Sequence, residues 1–429
     1  MTLGWLAIVR MGLVQMCLGA IVVLTTSTLN RLMVVELALP AILPGLLVAL
    51  HYGIQITRPN WGFLSDAGGS RTRWIIGGMA VLGLGALLAT LGVILFETHY
   101  AGALALSILA YALIGLGAGA SGTSLLALLA TATAPHRRAA AATITWLMMI
   151  AGIAITAGTV GAFLDPYSPA LLLRIVAIVT GGAVLLTTVA VWGIERNVRT
   201  SLPERDETRF IDGLREIWSE TPTRNFTLFV FLSMTAYFMQ ELILEPYAGL
   251  VFGYTPGQST SLSGAQNGGV FLGMLTVGIA ATGLRLGSLR NWVTFGCLGS
   301  AASLGGITLL GSLAVPQTLM PAVVALGFFN GMFAVAAIGS MMALAGQGRG
   351  AREGTRMGLW GAAQAIAAGF GGLLGAAAVD VMRRVMEQDA TAFGAVFLAE
   401  AGLFVIAALL ALKVIEGRRG MRPAIIPGE

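Results

Sequence analysis

Long apolar segments separated by short polar turns constrain this chain more than any other feature. A helix that crosses a bilayer needs about 20 mostly apolar residues. Only 10% of the 429 residues are charged, whereas a soluble domain carries about 25%. The sequence therefore predicts an all-α polytopic membrane protein with twelve transmembrane helices. The predicted helices cover residues 4–26, 35–57, 74–96, 101–130, 139–164, 169–194, 225–247, 265–284, 291–314, 319–346, 355–380 and 393–415.

Basic residues are distributed unevenly among the connections between these segments. Of the 25 lysines and arginines, 20 fall in connections that would share one side of the membrane with both chain ends. Cytoplasmic loops carry the excess of Lys and Arg in membrane proteins. The distribution therefore predicts that both termini are cytoplasmic.

Residues 195–224 form the one long polar break, and they separate two halves, 1–194 and 225–415, of six predicted helices each. A tail covers 416–429. Two such halves joined by a central cytoplasmic loop are typical of the major facilitator fold. A helix within the break would be amphipathic and lie on the inner membrane surface; a disordered linker is the alternative. Its apolar face would hold Phe210, Ile211, Leu214, Ile217 and Trp218.

The connection between the second and third predicted helices carries a glycine-rich motif with one acid. It reads Gly62-x3-Asp66-x2-Gly69-x-Arg71, and it resembles the loop between helices 2 and 3 of the major facilitator superfamily. Ala67 stands where that family prefers a base. Glycines permit a tight turn, the acid can face a helix N-terminus or an arginine, and the arginine holds the loop at the cytoplasmic surface. The alternative is an ordinary polar turn.

Polar side chains within the predicted helices are candidate site residues, because the bilayer makes them costly. Arg10 either contributes to a binding site or extends to the inner interface. His51 is either a metal ligand or a hydrogen-bonded core histidine. Asn330 is either part of a site or an interhelical contact. Gln240 and Glu241 complete the candidate binding residues.

Three residues of the seventh predicted helix are spaced by four and share one face: Tyr237, Glu241 and Glu245. Two carboxyl groups so placed could share a proton. Because Glu245 immediately precedes Pro246, near the expected helix end, we expect Glu245 in water at the outer surface and Glu241 within the membrane.

Several functions are disfavoured by the motifs. The run Gly117–Gly122 fits G-x-G-x-x-G but lies in a predicted membrane helix without a preceding strand, so we expect no nicotinamide site. No G-x4-G-K-[ST] sequence is present, so we expect no ATP site. Paired aspartates of a magnesium-diphosphate motif are also missing, so we expect no enzyme. The net positive charge comes from arginines at helix ends, so we expect no nucleic-acid partner.

Three further stretches form one pattern: residues 29–37, residues 49–52 followed by Arg58-Pro59, and residues 239–247. Together they resemble a narrower family, the PucC/LhaA family of phototrophic bacteria. The resemblance covers essentially the whole chain. That family includes a shorter member associated with bacteriochlorophyll synthase. The short N-terminus and short tail of this chain favour a similarity to that member.

The resemblance implies a protein that binds or delivers bacteriochlorophyll, or a precursor, as cargo in the inner or intracytoplasmic photosynthetic membrane. It implies the lipid bilayer, the membrane-bound synthase and light-harvesting polypeptides as partners. His51 would then be the candidate axial ligand of the pigment magnesium. The alternative function is a proton-coupled transporter of a small solute, with Glu241 as the proton carrier.

Overall fold

The computed structural model describes residues 3–58, 61, 70–134, 138–195, 218–284, 286–313, 315–345 and 353–415. Within these ranges the chain folds into helices and short connections, and no strand occurs. Gly62, Asp66 and Gly69 of the glycine-rich motif, and most of the predicted amphipathic helix, lie outside the described residues.

The described part of the chain contains twelve helical rods that alternate in direction, when the π-helical stretches are joined to the helices that they continue. The first half contains α1 (Trp5–Glu36), α2 (Ile42–Ile54), α3 (Arg71–Leu95), α4 (Tyr100–Ala132), α5 (Arg138–Phe163) and α6 (Pro169–Val191). The second half contains α7 (Thr221–Phe252), α8 (Pro256–Val277), α9 (Leu289–Leu313), α10 (Leu319–Ala345), α11 (Glu353–Val385) and α12 (Asp389–Val414).

Ten of the described helices are long and apolar enough to cross a membrane. The shorter α2 and the more polar α8 are the two that fall outside this set. Because the helices alternate, the α1–α2, α5–α6, α7–α8 and α11–α12 connections share one end of the bundle. We call this the far end, and we call the opposite end, which both chain termini share, the terminal end.

The first helix is longer than expected, and the prediction that the chain leaves the membrane between residues 26 and 35 is wrong. It continues to Glu36 through two π-helical stretches, Leu24–Thr28 and Leu32–Glu36. The polar run from Thr25 to Arg31 looks like a loop in the sequence. Its side chains are instead buried. The hydroxyls of Thr25 and Thr26 donate to the Val22 carbonyl of the same helix, and Ser27, Thr28, Asn30 and Arg31 contact polar groups of the second half.

The seventh and eighth helices also differ from the sequence expectation. Pro246 lies inside α7, which continues to Phe252. The start of α8 is set at Pro256 by a capping box in which Thr255 and Gln258 satisfy each other's backbone N–H groups. Polar residues at the start of α8 had suggested a loop, but several of them face α1.

Each half of the molecule has its own large apolar core. One is built from residues 3–194 with Leu242, and the other from residues 226–415. The halves meet where α2 packs on α11 and α5 packs on α8. Glycine permits the second contact: a Cβ built on Gly264 would lie 2.5 Å from the backbone nitrogen of Gly158. The interface therefore depends on close backbone approach as well as on polar contacts.

Two aspartates join the halves at the far end, one from each half. Asp380 of α11 accepts the N–H groups of Ala41 at 3.0 Å and Ile42 at 2.7 Å, at the start of α2. Asp165, just after α5, accepts from the Thr255 hydroxyl at 2.5 Å and from the Gly257 N–H at 3.1 Å, at the start of α8. Each half thus caps the second helix of the other half.

Candidate functional site

A polar cluster lies where α1, α7 and α8 meet in the far-end third of the bundle. The hydroxyls of Ser27 and Ser263 are 2.8 Å apart, and those of Thr28 and Thr260 are 3.2 Å apart. The π-helical winding of α1 brings four consecutive hydroxyl-bearing residues, 25–28, into the buried interface. Such irregular turns in helices are frequent at functional sites.

Glu245 lies beside this cluster, and the expectation that it sits in water is wrong. Its side chain is 1% exposed, because α7 continues past Pro246 and carries Glu245 inside the bundle. Its polar neighbours are the hydroxyls of Ser27 and Ser263 and the guanidinium of Arg31. Glu245 is therefore a buried acid whose polar surroundings, among the described residues, are two hydroxyls and one guanidinium.

Arg31, which falls between the first two predicted helices, is also buried, with 1% exposure. Its Nη1 donates to Glu36 Oε1 at 2.5 Å, and its Nη2 donates to the carbonyl oxygen of Tyr254 at 2.7 Å. Its Nε has no partner among the described residues. Arg31 therefore pairs within the first half and also holds the end of α7 in the second half.

Glu241 and Gln240, which the sequence proposed as binding residues, lie one turn before Glu245 on α7. Glu241 is half-buried, with Thr26 of α1 as a polar neighbour. Gln240 is fully buried, and neither its amide oxygen nor its amide nitrogen has a partner in the described part of the chain. The adjacent carbonyl of Leu242 accepts from Asn30 at 2.7 Å. Two consecutive turns of α7 thus present polar groups.

His51 lies in a separate polar chain on α2. Arg58 donates to the Gln55 amide oxygen, which directs the amide nitrogen of Gln55 to His51 Nε2, 3.1 Å away. Nε2 therefore accepts, and Nδ1 carries the ring proton. Nδ1 is buried without a described partner. In this arrangement the Nε2 lone pair that would bind magnesium is already engaged by Gln55.

The other two candidate binding residues make contacts far from Glu245. Arg10 donates to the carbonyl oxygens of Val189, at 3.3 Å, and Trp192, at 2.6 Å, at the end of α6. It thereby satisfies helix-end carbonyls. Asn330 accepts from the Ser300 hydroxyl at 2.7 Å and so joins α10 to α9. The structure therefore does not bring Arg10 or Asn330 together with Glu241 through any described contact.

Arg71, the described member of the glycine-rich motif, opens α3. Its backbone N–H donates to Glu195 Oε1 at 2.7 Å, and its guanidinium donates to the Ala127 carbonyl at 3.1 Å. The N–H of Thr72 and the hydroxyl of Ser70 donate to Glu195 Oε2, each at 3.0 Å. Burial raises the pKa of Glu195, but these hydrogen bonds outweigh it and hold the pKa below its usual 4.5. Sequence reasoning missed Glu195.

A sideways groove of about 190 Å³ lies between α1, α5 and α6. Its lining is mostly apolar and includes Met16, Ala20, Gly152, Ile155 and Leu186. Ile155 is 63% exposed, so the groove opens at the surface of the first half beside an apolar side chain.

Comparison with known proteins gives the family. The profile of the PUCC protein family matches residues 28–419. The chain belongs to the PUCC protein family. It is 68% identical to the Bacteriochlorophyll synthase 44.5 kDa chain of Rhodobacter capsulatus, over 100% of both chains. It is 27% identical to Protein PucC of Cereibacter sphaeroides, over 97% of this chain and 93% of that protein. The family resemblance drawn from the sequence is confirmed.

Solved structures confirm the fold class. A crystal structure of the peptide transporter POT matches with a TM-score of 0.73 and 13% identity, over 96% of both chains. A bacterial homologue of the human lysosomal transporter Spinster, in an inward-facing and unoccupied conformation, matches with a TM-score of 0.70 and 14% identity, over 95% of this chain and 96% of that chain. This family member thus has the major facilitator fold. The structural similarity does not indicate which substrate the chain binds.

Proposed function

We propose that the protein binds bacteriochlorophyll, or a precursor, in the membrane and hands it on during pigment synthesis and light-harvesting complex assembly. One observation carries the proposal: full-length identity of 68% to the Bacteriochlorophyll synthase 44.5 kDa chain. The membrane-bound synthase and light-harvesting polypeptides are the proposed partners. The proposed location is the inner, or intracytoplasmic photosynthetic, membrane of a bacterium, with both termini cytoplasmic.

The groove between α1, α5 and α6 supports this proposal. A pigment with a long hydrocarbon ester is soluble in the bilayer and has no need to cross water. A groove that opens sideways to lipid, with small residues such as Ala20 and Gly152 in its lining, suits such a tail. We propose that the hydrocarbon tail binds there.

His51 is the proposed axial ligand of the pigment magnesium, and this role requires Gln55 to release Nε2. His51→Leu and Gln55→Leu both remove the hydrogen bond between these two side chains, worth about 1 kcal/mol. Gln55→Leu also removes the bond from Arg58, so a purely structural effect would be at least as large in Gln55→Leu as in His51→Leu. If His51 is the ligand, His51→Leu should lower pigment content while Gln55→Leu retains it. Full pigment and an unshifted spectrum in His51→Leu would overturn the assignment.

The whole proposal is tested by purifying the full chain from a host that makes bacteriochlorophyll and recording its absorption spectrum. We expect pigment to remain bound through detergent extraction. An accessory, non-catalytic role also predicts no esterified product when the purified chain is incubated with pigment precursor and prenyl diphosphate. Product formed without the synthase would contradict that part of the proposal.

A second candidate function, proton-coupled transport of a small solute, is favoured by the acids of α7, Glu241 and Glu245. It predicts substrate-dependent proton flux in liposomes. A pigment-free protein that shows such flux would favour transport over pigment handling.

The proposed orientation has its own test. A reporter fused after Glu429 should be active only when it works in the cytoplasm. Activity on the opposite side would contradict the arginine distribution as a guide to topology.

A further inference from the structure

The groove between α1, α5 and α6 ends at a basic side chain. On α1, Arg10 and the groove-lining Cys17 are seven residues apart and so share one face of the helix. On α6, the groove-lining Leu186 is one turn from Val189, whose carbonyl oxygen accepts from Arg10 Nη2 at 3.3 Å. The Arg10 guanidinium therefore lies across two of the helices that form the groove, one turn beyond the lining towards the terminal end.

Part of the Arg10 guanidinium has no partner within the described protein. Its Nη2 also donates to the carbonyl oxygen of Trp192 at 2.6 Å, but no described residue accepts from its Nε or Nη1, and no described acid pairs with it. Arginine stays charged and binds phosphate through the N–H groups of its planar fork. The start of α1 lies at the same end, where Gly4 has no side chain to cap the helix. The terminal end of the groove therefore favours an anion.

The depth of the groove matches one leaflet of a membrane. Trp192, beside Arg10, is 69% exposed, and tryptophans are enriched where membrane helices meet the headgroup layer. Ala20, at the other end of the lining on α1, lies ten residues after Arg10, which is about 15 Å of helix rise. That distance is about half of the roughly 30 Å hydrocarbon core. An acyl chain whose headgroup lies at Arg10 would therefore reach the inner end of the groove.

We propose that this site binds an anionic phospholipid of the leaflet at the terminal end, with the phosphate on Arg10 and one acyl chain in the groove. The lining suits such a chain, because the described residues that form it are uncharged and include the small Ala20 and Gly152. The lipid site does not depend on pigment. A pigment tail that enters the groove would displace the acyl chain, so the two ligands share the groove, and only the lipid headgroup requires Arg10.

The test measures which phospholipid reaches the groove. The full chain is purified from a host that makes no bacteriochlorophyll and is reconstituted with phosphatidylglycerol or phosphatidylcholine that carries a photoreactive group in one acyl chain. After illumination, mass spectrometry identifies the labelled peptides. We expect the anionic phosphatidylglycerol to label the groove-lining residues about fivefold more than the zwitterionic phosphatidylcholine, the factor for one basic side chain near an anionic headgroup. Because the guanidinium is partly exposed, high salt should reduce this preference.

Three variants decide the assignment. Arg10→Gln should lose the preference for phosphatidylglycerol, and Arg10→Lys, which keeps the charge, should retain it. Ala20→Phe should lower groove labelling by both lipids, because the ring fills the space for the chain. Equal labelling by the two lipids in the parent, labelling spread evenly over the exposed helix surfaces, or a preference that survives in Arg10→Gln would overturn the proposal. The parent comparison and its salt dependence decide even where Arg10→Gln does not fold. Because no pigment is present, failure here is distinct from failure of the pigment proposal.

Discussion

The two halves bury ionisable groups of opposite kind. Among the described residues, the first half buries the basic side chains of Arg31, His51 and Arg71, and each has hydrogen-bond partners. The second half buries the acids Glu245 and Glu400. Glu245 has two hydroxyls and the Arg31 guanidinium as polar neighbours, and Glu400 has no hydrogen-bond partner among the described residues. Removing one partner of a buried charge is strongly destabilising. The basic groups of the first half therefore hold their partners, and the helices that carry them, in place. The acids of the second half are left for protons or for ligands.

Removing Arg31 should give the largest loss of stability among the variants that test this contrast between the halves. Arg31→Leu deletes the pair with Glu36 and the bond to Tyr254 across the halves. Glu36 is partly exposed, with 42% of its side chain accessible, so water offsets part of the loss. We expect about 2–3 kcal/mol of destabilisation, read as a lower apparent Tm of the purified protein. An unchanged Tm would show that the partnered charge is not structural.

Replacing Glu400 should act in the opposite direction. Glu400→Leu removes two buried oxygens that lack described partners, and an unsatisfied buried polar group costs about 1–3 kcal/mol. We therefore expect a higher apparent Tm. Glu400→Gln keeps the size and polarity and serves as the control, with little change expected. A lower Tm in Glu400→Leu would mean that this acid has a stabilising partner and that the contrast between the halves fails there.

The two aspartate caps allow a smaller, symmetric test. Asp380→Ala and Asp165→Ala each remove the acceptor for the start of a helix in the other half. Loss of such a cap costs about 1 kcal/mol. Because the caps serve different helix pairs, the double variant should lose the sum of the two. Thermal unfolding of the single and double variants measures this, and a strongly non-additive double variant would show that the caps act as one unit.

The smallest expected effect concerns Glu195. Its pKa is held below the usual 4.5 by bonds from Thr72, Arg71 and Ser70. A lowered folded-state pKa contributes stability that is present above 4.5 and is lost as pH falls through the folded value. Acid titration of stability should therefore be shallower in Glu195→Gln than in the parent. Because Glu195 is partly exposed, solvent screening keeps the difference small. Identical titrations of the two proteins would contradict the stabilising role of the Glu195 carboxylate at the start of α3.

The sequence predicted the helical membrane fold because hydrophobic length needs no tertiary information. It failed between residues 25 and 31 and at the start of α8, since hydroxyl-rich stretches look like loops until their partners on the other half are known. Glu245 was misplaced for the same reason: Pro246 suggested a helix end, and only the packed bundle shows α7 continuing to Phe252. Glu195 was missed because its partners are more than 100 residues away in the chain.

The candidate site was predicted less well than the fold. His51 and Glu241 stand out as rare ionisable residues in apolar segments, and that signal is present in the sequence. The engagement of His51 Nε2 by Gln55 depends on a rotamer that Arg58 fixes. The groove between α1, α5 and α6 is lined by small and aliphatic side chains, which look like ordinary membrane packing until three helices are brought together.

The central claim, that pigment binds from the lipid side, is tested most directly by pigment-to-protein ratio in one pair of variants. Ala20→Phe fills the groove, and Leu185→Phe adds similar bulk at a lipid-exposed position of α6 outside the groove lining. Both are purified from a pigment-making host beside the parent. The account predicts pigment in the parent and in Leu185→Phe, and a several-fold lower ratio in Ala20→Phe at equal stability. A parent without pigment, or an Ala20→Phe variant with its full complement, would contradict it.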